Sequence, residues 1–476
     1  MKKLIAILLI LSSPLVFTQE LHTFSNGEVA DADEINANFS SLKEAVVAAA
    51  SDSDSNGNTA IGENAARHNM TGTMNTAIGT LALERNVEGD RNTAVGYSAL
   101  SSNYADFNTA SGYEALSANT VGILNTAGGY GALRNNRDGN KNTAFGGTSL
   151  ETNADGSYNT AVGFDAMKMN DTGSDNTAVG AAALADNTLG NLNTAIGRWA
   201  MFDNVSGNSN TGVGVSALSG NIDGQRNTSV GRWSMFENES GSNNVSVGVS
   251  ALYKNTAGEH NTAIGATALG DFSEGSNNTA IGYGADLSVS GLTNAIVIGY
   301  QATVSASNKV RIGNSDITVI EGQVPFTSSS DQRLKTDIRT VDKGLDFIND
   351  LAPVSYKRIN NETGTVEMGL LAQDVVATLR KYGFSDSGMV HQTSQDTYMS
   401  LRYNDLFAPM IKAIQELSAQ SKSKEKTIAS LQKQLEGQQF ELESQRREMI
   451  ALLKQQQDQI ASLQRLMEVG FLASSD

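Results

Sequence analysis

Residues 328–338 read SSSDQRLKTDI and place one hydroxyl, Ser330, within five residues of a carboxylate, a guanidinium and an amine: Asp331, Arg333 and Lys335. Two chemistries fit. Ser-Asp ahead of an apolar helical pattern is an N-cap signal, in which the side chain accepts from the first backbone N–H groups of a helix. The same serine becomes a nucleophile if a base removes its proton, and a lysine serves as that base only where burial or a nearby cation favours its neutral form. Leu334 and the apolar pattern beyond it are the residues that could cover the amine once subunits pack. No histidine lies in the stretch, so a Ser-His-Asp arrangement is not expected there. Asp331 and Arg333 read equally well as supports for a Ser-Lys pair or as a cap and a surface charge.

Little else in the chain offers chemistry. The absence of cysteine excludes disulfides, a lipidated N-terminal cysteine, thiol catalysis and thiolate zinc sites. The histidines, His22, His68, His260 and His391, are scattered, so neither a metal nor a cofactor is expected. A net charge of −17 argues against nucleic acid or an anionic membrane as the main partner. The first residues, MKKLIAILLILSSPLVFTQE, carry Lys2 and Lys3, an apolar run and then polar sequence, which predicts a secretory signal peptide over 1–19 and a secreted or cell-surface protein.

The elements that must position Ser330 are set by repeats. From Asn58 the motif N-T-A-I/V-G recurs every 17 residues as far as Asn278, with one step of 16 between Asn92 and Asn108, and a degenerate copy, NAIVIG, is read at Asn294. A fixed period of this kind predicts a solenoid of stacked rungs over 51–324. Seventeen residues hold two short strands and two turns, with Thr and Ile/Val on one face and Asn, Ala and Gly on the other. No proline lies between residues 15 and 324, as a backbone committed to ladder hydrogen bonds requires. Each rung offers two Ala, one Ile/Val and one Leu, which at roughly 25 cal/mol per Å2 is little apolar burial to offset the ordering of its backbone. A shared seam between chains, three in the favoured reading, would supply the remainder; a monomeric solenoid filling its own interior is the alternative. The array resembles the β-roll heads of trimeric adhesins and the shafts of phage-fibre-like proteins. It departs from the adhesins in its longer period and in ending on a helix instead of a membrane barrel.

Ahead of the array, Ala32, Ile35, Phe39, Leu42 and Val46 predict a short amphipathic helix within 20–50. At the other end, 406–470 carries a seven-residue period. Phe407, Ile414, Ile428, Leu435, Leu442, Met449 and Leu463 share one seam position, and Met410, Leu417, Leu431, Leu452 and Leu466 share the other. This predicts a coiled coil, with Ser421, Lys424, Gln438, Gln445, Gln456 and Gln459 as polar seam exceptions and Gly437 as a weak point. Between shaft and coil, 325–405 reads as a small α+β unit. A helix is expected on the spacing of Leu334, Ile338, Val341, Leu345 and Ile348, with strands in PVSYKRI, TVEMGLL and YMSLRY. The fold class is therefore mostly β, a parallel solenoid shaft followed by an α+β domain and a coiled coil.

Three ordered blocks, SDQRLKTDI (330–338), GLLAQDV (369–375) and YMSLRYNDLFAPMIKAIQEL (398–417), resemble the C-terminal intramolecular chaperone of phage endosialidases and tail spikes, an auto-processing serine peptidase domain. The resemblance implies a homotrimer in which this domain templates the upstream shaft and then cuts itself off between Ser329 and Ser330. It further implies Ser330 as nucleophile and Lys335 as base; Gln373 fits either a buried polar contact or an oxyanion donor. The function expected is that of an exported trimeric fibrous surface or appendage protein with single-turnover auto-endopeptidase activity. An uncleaved adhesin with the same domain as a permanent clamp is the alternative. Glycan hydrolysis has no recurrent acid pair to support it, and ice binding would require more than one Thr per strand.

Overall fold

The computed structural model describes residue 33 and residues 36–40, 55–342, 344–359, 364–385, 387–392 and 398–472. The signal peptide expected over 1–19 lies outside them. Of the helix expected within 20–50, residue 33 and residues 36–40 are helical. The chain divides into two compact units, Met1–Val319 and Ile320–Asp476.

The first unit follows directly from its repeat: one three-residue strand per rung, stacked in parallel. Strands run from Thr59–Ile61 and Thr76–Ile78 through Thr279–Ile281, Ile296–Ile298 and Val310–Ile312, forming a single 16-stranded sheet in sequence order. Register is rung to rung, Thr76 on Thr93, Ala77 on Ala94 and Ile78 on Val95. The second strand expected in each rung is replaced by turns; two-residue strands, Asp286–Leu287 and Thr303–Val304, form only near the end. The turns are laddered all the same. In one rung Thr76 N–H donates to Asn92 O, Leu83 N–H to Ala99 O and Arg85 N–H to Ser101 O, while Gly79, Leu81 and Arg91 donate to the rung before. Proline at any of these donors would delete a bond between rungs.

Alternation places the middle residue inside in every strand of this sheet from Thr76–Ile78 to Ile296–Ile298, with Thr and Ile/Val on the opposite face as the sequence predicts; Ala60 and Arg311, in the two end strands, are exposed. Ala77, Ala82 and Leu83 are fully buried, and their equivalents repeat along the shaft. The seam expected to be shared between chains is not what fills this interior, because two asparagine columns complete it from the same chain. In the first, Asn75 N–H donates to Asn58 Oδ1 at 2.8 Å and its Nδ2 to Gly89 O at 2.8 Å. In the second, Asn103 Nδ2 donates to Asn86 Oδ1 at 3.0 Å and Asn86 Nδ2 to Gly89 O at 2.9 Å. Each such bond contributes about 1 kcal/mol net, and a buried chain of them is mutually polarising. Hydrogen bonding thus makes up for thin apolar burial.

The columns also correct the frame of the last copy. Ala295, not Asn294, stands 17 residues after Asn278, and its N–H donates to Asn278 Oδ1. The second column ends at Asn255, whose buried Oδ1 has no partner because Phe272 takes the next place. The 16-residue step is absorbed in a turn: Asn103 Nδ2 reaches Ala105 O, two residues on instead of three, and the strands on either side stay in register.

The second unit has a small core of Phe347, Val375, Leu379 and Met389. Strands Pro353–Tyr356 and Glu367–Leu370 pair antiparallel, Val390–His391 pairs with Ser400–Leu401, and Ala372–Lys381 is helical. The helix expected from Leu334 to Ile348 forms only over Leu345–Asn349. Leu334 and Ile338 are exposed and Asp337 turns left-handed at φ 52°, because nothing in the single chain receives that apolar stripe. Tyr382 donates to Asp350 Oδ2 at 2.6 Å, which pushes the phenol up to about 12. The helix Phe407–Leu472 packs its start on Leu345–Asn349, with Ala413 buried; from Leu417 to Glu468 every side chain is exposed, both seam positions included. Among the described residues no helix is long and apolar enough to cross a membrane.

Candidate auto-processing site

Ser330 lies near the end of a stretch without helix or strand, 314–331, just outside a 3-10 turn, Gln332–Leu334. The cap of that turn is Asp331, whose Oδ1 accepts from Arg333 N–H at 2.9 Å. The capping role open to Ser330 is therefore filled by its neighbour. Asp331 also pairs with the Arg333 guanidinium, Oδ1 to Nε at 3.1 Å and Oδ2 to Nη2 at 2.8 Å, which holds the Asp331 carboxyl below the usual carboxylate range.

The tight turn closes a loop of the right size for chemistry. Lys335, extended at φ −124° and ψ 138° after the turn, brings its Nζ to 2.7 Å from Ser330 Oγ. Such contact is the geometry a general base requires. Taking the serine proton demands the free amine, which water disfavours and apolar cover favours. In the single chain all of 321–342 is exposed, Leu334 at 71% and Ile338 at 63%. The pair is thus assembled by local sequence and, among the described residues, stands without apolar cover.

The other two blocks meet each other instead. Leu370 N–H donates to Tyr403 Oη at 3.0 Å, and Gly369 is required there because a Cβ would lie 2.5 Å from that oxygen. Around this contact lies a groove of about 540 Å3 lined by Tyr356, Arg358, Leu370, Gln373, Tyr398 and Tyr403. Gln373 is on the first turn of its helix, exposed, and among the described residues has no hydrogen bond to Ser330 or Lys335. The buried-contact reading of Gln373 does not hold in the single chain. The groove tyrosines were not singled out from sequence; their clustering depends on a fold that pairs residues 33 apart.

A comparison with family models locates this region. Residues 330–384 match the family described as chaperone of endosialidase. The matched chaperone segment begins at Ser330 itself and takes in the first two blocks; the third, 398–417, lies beyond it, as does the whole shaft. It covers less than an eighth of the chain. No curated protein and no solved structure matches.

Proposed function

We propose that the chain is an exported fibre or spike protein whose C-terminal unit gathers three copies, guides the shaft and then severs the Ser329–Ser330 bond. The observation that carries this reading is that the chaperone match starts at a serine whose Oγ is 2.7 Å from a lysine amine. Ser330 Oγ attacks the Ser329 carbonyl carbon while Lys335 takes the hydroxyl proton and passes it to the departing Ser330 nitrogen. An ester then links Ser329 to Ser330 Oγ, and water hydrolyses it to a carboxylate and a free hydroxyl. Association supplies the cover that the amine lacks in one chain, so assembly precedes cutting. The exposed heptad seam of Phe407–Leu472 is the gathering element, since a lone helix with Ile428, Leu431 and Leu435 each more than half exposed has no reason to stay unpartnered.

Denaturing electrophoresis with mass spectrometry tests the cut. Wild-type protein should yield a 147-residue fragment from Ser330 to the last residue, absent in Ser330→Ala and in Lys335→Gln. A second reading, the same domain kept as a permanent clamp, draws on the exposure of the pair; full-length chain alone in a three-chain assembly would establish it.

A further inference from the structure

The outward face of the shaft sheet carries a stripe that its own fold does not use. The third residue of every strand points out, and in fourteen of the sixteen strands it is Ile, Val or Phe. Ile78, Val162, Val179, Ile196 and Ile264 are each 38–42% exposed. The first residue, Thr in thirteen strands, lies on the same face. None of these 32 positions is charged, although at the chain-wide 18% about six would be. The column immediately before the ladder asparagines carries charge at Arg91, Lys141, Asp175 and Arg226 and exposed apolar or aromatic side chains at Met74, Phe107, Leu124, Tyr158 and Leu192.

The two exceptions preserve the stripe's continuity. Ser111 and Gly128 precede Phe145, and a Cβ on Gly128 would lie 2.6 Å from Phe145 Cδ1. The large ring leans into the place its neighbour leaves empty. At roughly 60 Å2 of exposed apolar surface per rung, the stripe amounts to about 800 Å2 a side, the size of one half of a standard stable interface. A centre free of charge is also how such interfaces are built.

We infer that this stripe is where the shafts of separate copies pack on one another, parallel and level, so that each rung meets the same rung of the next chain. The inference rests on the assembly proposed above and adds its surface: copies are joined along the outside of self-filled solenoids, not through a common interior. The occupant is a second copy of this chain, because only an identical rung spacing stays in step over the whole sheet.

The protein has no cysteine, which makes the test direct. Full-length Val179→Cys, oxidised mildly, should form chain-to-chain disulfides. Leu189→Cys, 54% exposed in a turn away from the strand, should form none. Sedimentation of the same samples counts chains. In a second variant, Val162→Lys with Val179→Lys and Ile196→Lys, the circular dichroism of the solenoid should be retained, because those side chains lie outside the core, and the melting temperature should fall. An assembly that cross-links through Leu189→Cys and not Val179→Cys, or a lysine variant with an unchanged melting temperature, overturns the surface and leaves the assembly standing. A single chain at every concentration overturns both, whereas thermal hysteresis without the Val179→Cys cross-link overturns the surface and makes the face a binder of ice.

Discussion

Leu184 in the shaft and Leu431 in the terminal helix are the same residue type under opposite conditions: the first is fully buried by its own chain, the second 57% exposed. The shaft satisfies itself rung by rung. Every strand, every ladder asparagine and most turn donors find partners one period away, so the contacts that define the fold are short in sequence and identical in kind. The C-terminal unit does the reverse. Its few buried residues hold a small domain together, and its apolar surface, from Leu334 to Met467, is left exposed. A repeat with abundant hydrogen bonds can dispense with a large apolar core, whereas a heptad seam has nothing to offer one chain.

Substitutions sharpen that contrast, beginning with the backbone. Gly180 adopts φ +137° and a Cβ there would lie 2.6 Å from Gly197 O, so Gly180→Ala should cost more than about 3 kcal/mol in thermal unfolding. Asn187→Leu removes the acceptor of Asn204 Nδ2 and the donor to Asn170 Oδ1, and should cost about 2–4 kcal/mol, while Leu431→Ala in dilute protein costs close to nothing. Asp286 stands where the repeat has leucine, and burial pushes its carboxyl up to about 6 from 3.8. The folded state therefore holds that proton more firmly than the unfolded one. Its contribution is complete below about pH 4 and lost as pH rises through about 6, so Asp286→Asn should leave the melting temperature unchanged at pH 4 and raise it at pH 7, where the variant gains up to about 3 kcal/mol of stability. Smallest and of opposite sign to the first, Gly437→Ala should stabilise by about 1 kcal/mol, since nothing lies near that helical position.

Much of the shaft was legible because its period was. The alternation of Thr76, Ala77 and Ile78 gave the right faces, although the Ile/Val of each rung, counted with Ala and Leu as apolar burial, lies outside. The motif asparagines were placed on the same face as Ala, but their hydrogen-bonded columns were not foreseen, because Asn becomes interior only when stacked copies supply acceptors at the correct height. Left-handed residues such as Leu81 and Leu83, at φ 61° and 50°, were equally invisible, since leucine seldom adopts that conformation without neighbours to enforce it. Near the site the five-residue spacing of Ser330 and Lys335 sufficed to bring them together. The stripe from Leu334 to Ile348 read as a helix for the same reason the seam reads as a coil, yet without a receiving surface its first half stayed open.

The turn at Ala105 gives the shaft a further property. A residue was lost there and the strands on both sides kept their alignment. Since any rung sits on any other through the same contacts, whole copies can be duplicated or deleted with neither end needing redesign. Reach then becomes a quantity that a lineage can adjust in steps of about 5 Å, independently of the C-terminal unit.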